Sequence, residues 1–351
     1  MKRSLVRRAS ILLGTVMCAA GLTAQQALAA PHQHAGGTPD TAVTYAQLPG
    51  NLLNYIFPLT PAAYDTVPNI QQFQFMVYPP LYWYASPGHV GLVEKRSIAE
   101  LPVLSVSGGR SVATIRLKPW RWSDGRPITA RDVQFFWNLL RANKTAWWAY
   151  IPSEFPDNVV SFKILGTDSF SVTFDAEYSE PWINTELAQL FAIPQHAWDK
   201  TSLDGRIGNY DETPAGARAV YNFLNAQSKD ISTYATNPLW QVVDGPWVLS
   251  AFTPETTALT LRRNPDYSGP AGGNVETVRE LQYTSDAAEF NALLAGQLDF
   301  GYIPFTDFAE ISRVRSLGYE VEPWYAFGAS FIPLNYANSA TGPIFKQLYA
   351  R

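Results

Sequence analysis

Trp122-Ser123-Asp124-Gly125-Arg126-Pro127-Ile128-Thr129-Ala130-Arg131-Asp132-Val133-Gln134-Phe135 is the stretch on which the fold turns. Asp124-Gly125 marks a reversal, because glycine takes backbone angles that other residues resist. Pro127 restricts the backbone just before Thr129. Thr129 has the chemistry of an N-cap, and Asp132, three residues on, makes a variant of the capping box. Val133, Phe136, Trp137 and Leu140 then recur at i, i+3, i+4 and i+7, so the spacing predicts a helix over 130–141. Upstream, Ala113, Ile115 and Leu117 share one face of an alternating run and predict a strand over 112–117.

Moving outward, 160–164 and 170–174 alternate on either side of Gly166-Thr167-Asp168 and predict a β-hairpin. Further helices fit 215–226 and 286–295, the second with Asp286 as its cap, Glu289 in its first turn and Gly296 as its stop. Strands are expected at 247–250 and 257–262. The segment 43–84 is rich in Tyr, Phe and Pro, and Pro79-Pro80 excludes a continuous helix or central strand across its densest part. Strands and helices interleave irregularly, which indicates a mixed α/β chain in more than one domain.

The first residues have an export pattern. Lys2, Arg3, Arg7 and Arg8 precede an apolar run from Ile11 to Leu22, and Ala27-Leu28-Ala29 offers a small-x-small cleavage site, so residues 1–29 are expected to be a signal peptide. Twelve apolar residues rise only about 18 Å as a helix, too short for a hydrocarbon core of about 30 Å. Cys18 follows the bulky Met17, which disfavours lipid attachment, and Ser10 weakens a twin-arginine reading of Arg7-Arg8. Removal of 1–29 takes four of 26 basic residues and none of 30 acidic ones, moving the formal charge from −4 to −8 and removing the single Cys. A disulfide scaffold is thereby excluded, and a basic nucleic-acid binder is disfavoured. Residues 30–42 form a polar tail whose His32 and His34 lack the further ligands a closed metal site needs.

Motifs for catalysis are missing. The chain contains no Walker loop, no G-x-G-x-x-G after a strand, no H-E-x-x-H and no G-x-S-x-G. Beyond the tail only His89 and His196 remain, and neither shows a partner. The 11 Trp and 18 Tyr would suit sugar stacking, so a secreted glycosidase using two carboxylates stands as the enzyme alternative. No cofactor or metal is implied.

Three segments resemble the family-5 extracytoplasmic solute-binding proteins, the dipeptide and oligopeptide receptors of ABC importers. The opening stretch is similar to the family's F-S-D-G-x-P-h-T-A-x-D-V-x-F pattern, with Trp122 in place of Phe. Val243-Asp244-Gly245-Pro246-Trp247-Val248-Leu249, followed by Leu261-Arg262-Arg263-Asn264-Pro265-Asp266-Tyr267, resembles G-T-G-P-Y-x-L and L-x-R-N-P-x-Y-W, with Asp244 for Thr, Trp247 for Tyr and Ser268 for the last Trp. Asn291 to Asp299 resembles A-L-x-x-G-E-I-D.

The resemblance implies a two-lobed α/β fold of the periplasmic-binding-protein type II, peptide-binding class. In that reading residues 43–270 form the N-terminal lobe, complete except for a returning segment, with an inserted subdomain at about 85–185. Residues 271–351 then begin a second lobe that is only partial, since members usually run to roughly 500 residues; a non-binding fragment is therefore a further alternative. The implied function is non-enzymatic: an exported protein captures peptides or a related small solute between its lobes and delivers them to ABC permease subunits, touching the membrane complex only peripherally. Members of this type carry di- and oligopeptides, nickel complexes, oligosaccharides and opines. Aromatic walls accommodate varied side chains, so the candidate ligand-binding residues are Tyr78, Tyr82 and Trp83 from the first lobe, with Trp324 and Phe327 from the second.

Overall fold

The structure is a computed structural model that describes residues 41–86, 89–270 and 274–322. The chain divides into two compact units, Met1–Thr306 and Asp307–Arg351. In the second, the described residues include a short helix, Ile311–Ser316, closed by Gly318 at φ 94°.

Among the described residues the first unit contains ten strands: β1 (Ala42–Ala46), β2 (Tyr84–Ser86), β3 (His89–Leu92), β4 (Val103–Ser107), β5 (Arg110–Arg116), β6 (Val159–Gly166), β7 (Ser169–Phe174), β8 (Trp247–Thr253), β9 (Ala258–Arg263) and β10 (Thr277–Leu281). They form a sheet in the order β1-β10-β9-β8, a sheet in the order β4-β5-β7-β6, and the β2-β3 pair. The β4–β7 sheet is antiparallel throughout. Gly108 and Gly109, at φ 59° and 73°, make the two-residue turn that joins β4 to β5, a turn needing positive φ at both positions. Ala113 and Ile115 are buried on the inner face, as their alternation predicts.

The helix from the opening stretch spans Ala130–Asn143. Asp132 Oδ2 accepts from the Thr129 amide at 2.8 Å and the Thr129 hydroxyl at 3.0 Å, tying off the helix start as expected. Val133, Phe136, Trp137 and Leu140 are all buried. A second long helix, Pro214–Lys229, starts at Thr213, whose hydroxyl accepts from Gly216 N. It extends beyond the expected 215–226 at both ends.

Two expectations change. The cap of the Asp286–Leu294 helix is Ser285, whose hydroxyl accepts from Ala288 N at 3.2 Å, and Asp286 is the first helical residue. Thr257 has φ 52° and sits in the turn, so β9 begins one residue later. Late residues of the first unit return to its start: β10 lies parallel to β1, and Asp299 N and Phe300 N both donate to Thr44 O.

Between β1 and β2 the chain is helical where no helix was expected. Pro68–Gln74 winds as a π-helix and continues into Phe75–Val77, ending before Pro79. Gln72 and Gln74 are buried in it and hold backbone groups of neighbouring segments, which offsets the cost of enclosing their amides.

Candidate solute-binding pocket

The first two recognisable segments meet in space. Ser123 N donates to Val243 O at 2.7 Å, and the Ser123 hydroxyl accepts from Val243 N while donating to Gln241 O. Trp120 packs edge-on against Tyr267 at 5.4 Å. Gly245 N donates to Val77 O, and a Cβ at position 245 would lie 2.4 Å from Met76 O, so only glycine permits that approach. Asn264 Nδ2 closes the same corner on Gly245 O at 2.9 Å. Asp299 Oδ2 accepts from Thr44 N at 2.7 Å.

The first unit also holds a cavity of about 90 Å³, walled by Phe75, Phe191, Trp147 and Trp148, with Thr60, Gln74 and Gln189 as its polar members. Trp147 and Trp148 follow the Ala130–Asn143 helix after one short turn; Trp148 N donates to Thr60 O at 3.0 Å, and Trp147 bridges Pro61. Phe75 comes from the end of the π-helical segment and touches Phe191 at 6.1 Å between ring centres. Thr60 and Gln74 are joined by a 3.1 Å hydrogen bond, and Gln74 Nε2 also donates to Tyr55 O. Trp148 remains 45% exposed, so the aromatic wall is accessible from solvent.

None of the lining residues is formally charged. Glu186 accepts from Gln189 Nε2 at 2.6 Å. Burial, with the Glu154 anion adding to it, pushes Glu186 up to about 7. Such a pocket offers ring faces for dispersion and stacking.

Of the residues expected at a ligand, Trp83 comes nearest: its half-buried ring stands edge-on to Phe75 at 5.5 Å. Tyr78 and Tyr82 are fully enclosed. Tyr82 donates to Glu100 O at 2.7 Å, and Tyr78 packs edge-on against Trp198 at 5.2 Å, so both contribute core packing and no open surface. Trp324 and Phe327 lie outside the described residues. Phe75 belonged to the aromatic run already conspicuous in the sequence. The Trp147-Trp148 pair was overlooked, although two adjacent tryptophans just after a helix were a visible cue.

Asp244, which stands where the resemblance expects Thr, is wholly buried beside Tyr78, and neither of its oxygens has a hydrogen-bond partner. Burial, reinforced by the Asp132 anion, raises its affinity for a proton far above that of an ordinary carboxyl. His196 pairs with Asp124 at 2.8 Å. Among the described residues no group of three or more His, Cys, Asp or Glu could hold a metal ion. None of the described helices is long and apolar enough to cross a membrane.

Residues 92–347 match the family of bacterial extracellular solute-binding proteins, family 5 (middle region). A probable peptide-binding protein, YejA, of Agrobacterium fabrum is 25% identical over 195 residues, covering 54% of this chain and 27% of that protein. The periplasmic EDTA-binding protein EppA superposes with a TM-score of 0.58 at 18% identity, over 83% of this chain and 49% of EppA. The oligopeptide-binding protein of Thermus thermophilus, solved with a pentapeptide, gives 0.54 at 16% identity over 74% and 44%. The chain thus spans about a quarter of YejA and less than half of either solved structure.

Proposed function

Because this chain belongs to the family 5 bacterial extracellular solute-binding proteins, we propose that it is the solute-capturing component of an ABC importer. In this role it is exported, takes up peptides or a related small solute without chemical turnover, and hands them to membrane permease subunits. The observation that carries this reading to a site is the aromatic, uncharged cavity between Phe75, Phe191, Trp147 and Trp148. A peptide side chain suits it, because ring faces tolerate varied apolar groups.

Titration of the full chain with dipeptide, oligopeptide and oligosaccharide pools, followed by intrinsic Trp fluorescence and calorimetry, tests the proposal. Saturable binding of peptides without product formation is expected. Trp148→Ala should weaken binding about 10- to 100-fold while leaving the melting temperature nearly unchanged, as removing a half-exposed aromatic anchor does. Undiminished affinity in that variant would move the site elsewhere, and turnover of any pool would remove the receptor reading.

A further inference from the structure

Away from the cavity, three charged side chains meet below the start of the Ala130–Asn143 helix. Arg131 lies in its first turn. Asp199 follows the short helix Gln195–Trp198, and Asp211 lies in the turn Tyr210–Glu212 that leads into the Pro214–Lys229 helix. Arg131 Nη1 donates to Asp211 Oδ2 at 2.8 Å and Nη2 to Oδ1 at 2.5 Å. The same Nη2 is 3.8 Å from Asp199 Oδ2. Both carboxyl side chains are fully enclosed.

One guanidinium therefore serves two enclosed carboxyls, and its two-pronged grip is spent on Asp211. Asn138 Nδ2 also donates to Asp211, at 2.8 Å. Asp199 receives one hydrogen bond, from Gln195 Nε2 to Oδ2 at 3.0 Å, and its Oδ1 has no hydrogen-bond partner. Two adjacent buried anions facing one cation leave an uncompensated charge, and a carboxyl so placed takes a proton.

We propose that Asp199 and Asp211 share one proton beneath Arg131, making a latch that fastens the 195–212 segment to the Ala130–Asn143 helix in a proton-dependent way.

The surrounding groups favour this. Glu212 adds a third negative field at Arg131. His196 is turned away to Asp124, and Lys200 donates to Leu203 O. From the Pro214–Lys229 helix, Arg218 is exposed and Tyr221 faces Phe57. Burial, with the Asp211 anion adding to it, pushes Asp199 up to about 7, against about 3.9 for a free aspartate. Because the folded state holds the proton more tightly, the stability it supports is complete below about pH 4 and is lost as pH rises through about 7. One proton changes the folding equilibrium by up to tenfold per pH unit across that window.

Carboxyl ¹³C NMR of the full chain labelled at aspartate, run from pH 5.5 to 8.5 beside thermal melts, tests the latch. A resonance assigned to Asp199 or Asp211 is expected to titrate near neutrality, with a melting temperature that falls over the same range. Asp199→Asn mimics the protonated form, so it should abolish that titration, lessen the fall in melting temperature and melt higher than the unaltered chain at pH 8.5. If Asp199→Asn does not fold, Asp211→Asn serves: Asp199 then has Arg131 to itself, and the neutral titration should vanish. Persistence of that assigned titration in a folded variant, or no titration of either Asp199 or Asp211 between pH 5.5 and 8.5 in the unaltered chain, overturns the proposal.

Discussion

The two four-stranded sheets of the first unit are assembled in opposite ways. In the β4-β5-β7-β6 sheet two hairpins supply four strands, and a single longer-range pairing, β5 with β7, joins them. Its outer face carries small and β-branched residues open to solvent, such as Val103 and Ser105, opposite Thr114 and Val112. The β1-β10-β9-β8 sheet depends on strands far apart in sequence, with Ala42 opposite Thr277 and Ala46 opposite Leu281. Beyond β1, Phe300 bridges Tyr45, and Asp299 holds Thr44. This sheet also encloses Glu280, whose two oxygens lack hydrogen-bond partners and whose proton affinity burial raises well above normal. The local sheet is held by its apolar inner face, whereas the distant one also depends on specific polar ties.

Substitutions should separate these modes. The largest effect is expected from Phe170→Ala, which empties a fully buried site stacked on Phe162 at 4.8 Å in the local sheet. Denaturant titration should show about 3–5 kcal/mol of destabilisation. In the distant sheet, Asp299→Ala removes the side-chain acceptor from Thr44 N and should cost about 1.5–3 kcal/mol. Asp299→Asn keeps an acceptor there, and its recovery of most of that amount would show that the tie, rather than the volume, matters. Val103→Thr, 69% exposed on the open face, should change stability by less than about 0.5 kcal/mol. A larger change would mean that this face is covered in solution.

The sequence revealed elements whose determinants lie close together along the chain. Thr129 and Asp132 announced a helix start, and the repeat through Leu140 gave its buried face. The β6-β7 hairpin was legible because both alternating runs and their turn fit within sixteen residues. β1 was not foreseen, because five residues, Ala-Val-Thr-Tyr-Ala, say little until β10 arrives beside them. The π-helical segment was hidden by its polar Gln72 and Gln74, which are buried only because distant backbone groups need their amides. At the cavity, composition drew attention to the aromatic stretch that supplies one wall but could not say which rings face it. Phe75 lines the cavity while Tyr78 and Tyr82, a few residues on, turn into the core. Periodicity is weak in a segment broken by Pro79 and Pro80, so it could not assign faces there.

The parallel pairing of β1 with β10 sets an order of events. Closing a loop of more than two hundred residues carries an entropic cost that local hairpins do not face. The β4–β7 sheet and the Ala130–Asn143 helix can therefore form while β1 is still single. During that interval β1 presents an open edge, available to any other strand with free backbone groups. Among the described strands β1 is the first made, yet its partner β10 comes far later, so it needs shielding while this protein matures.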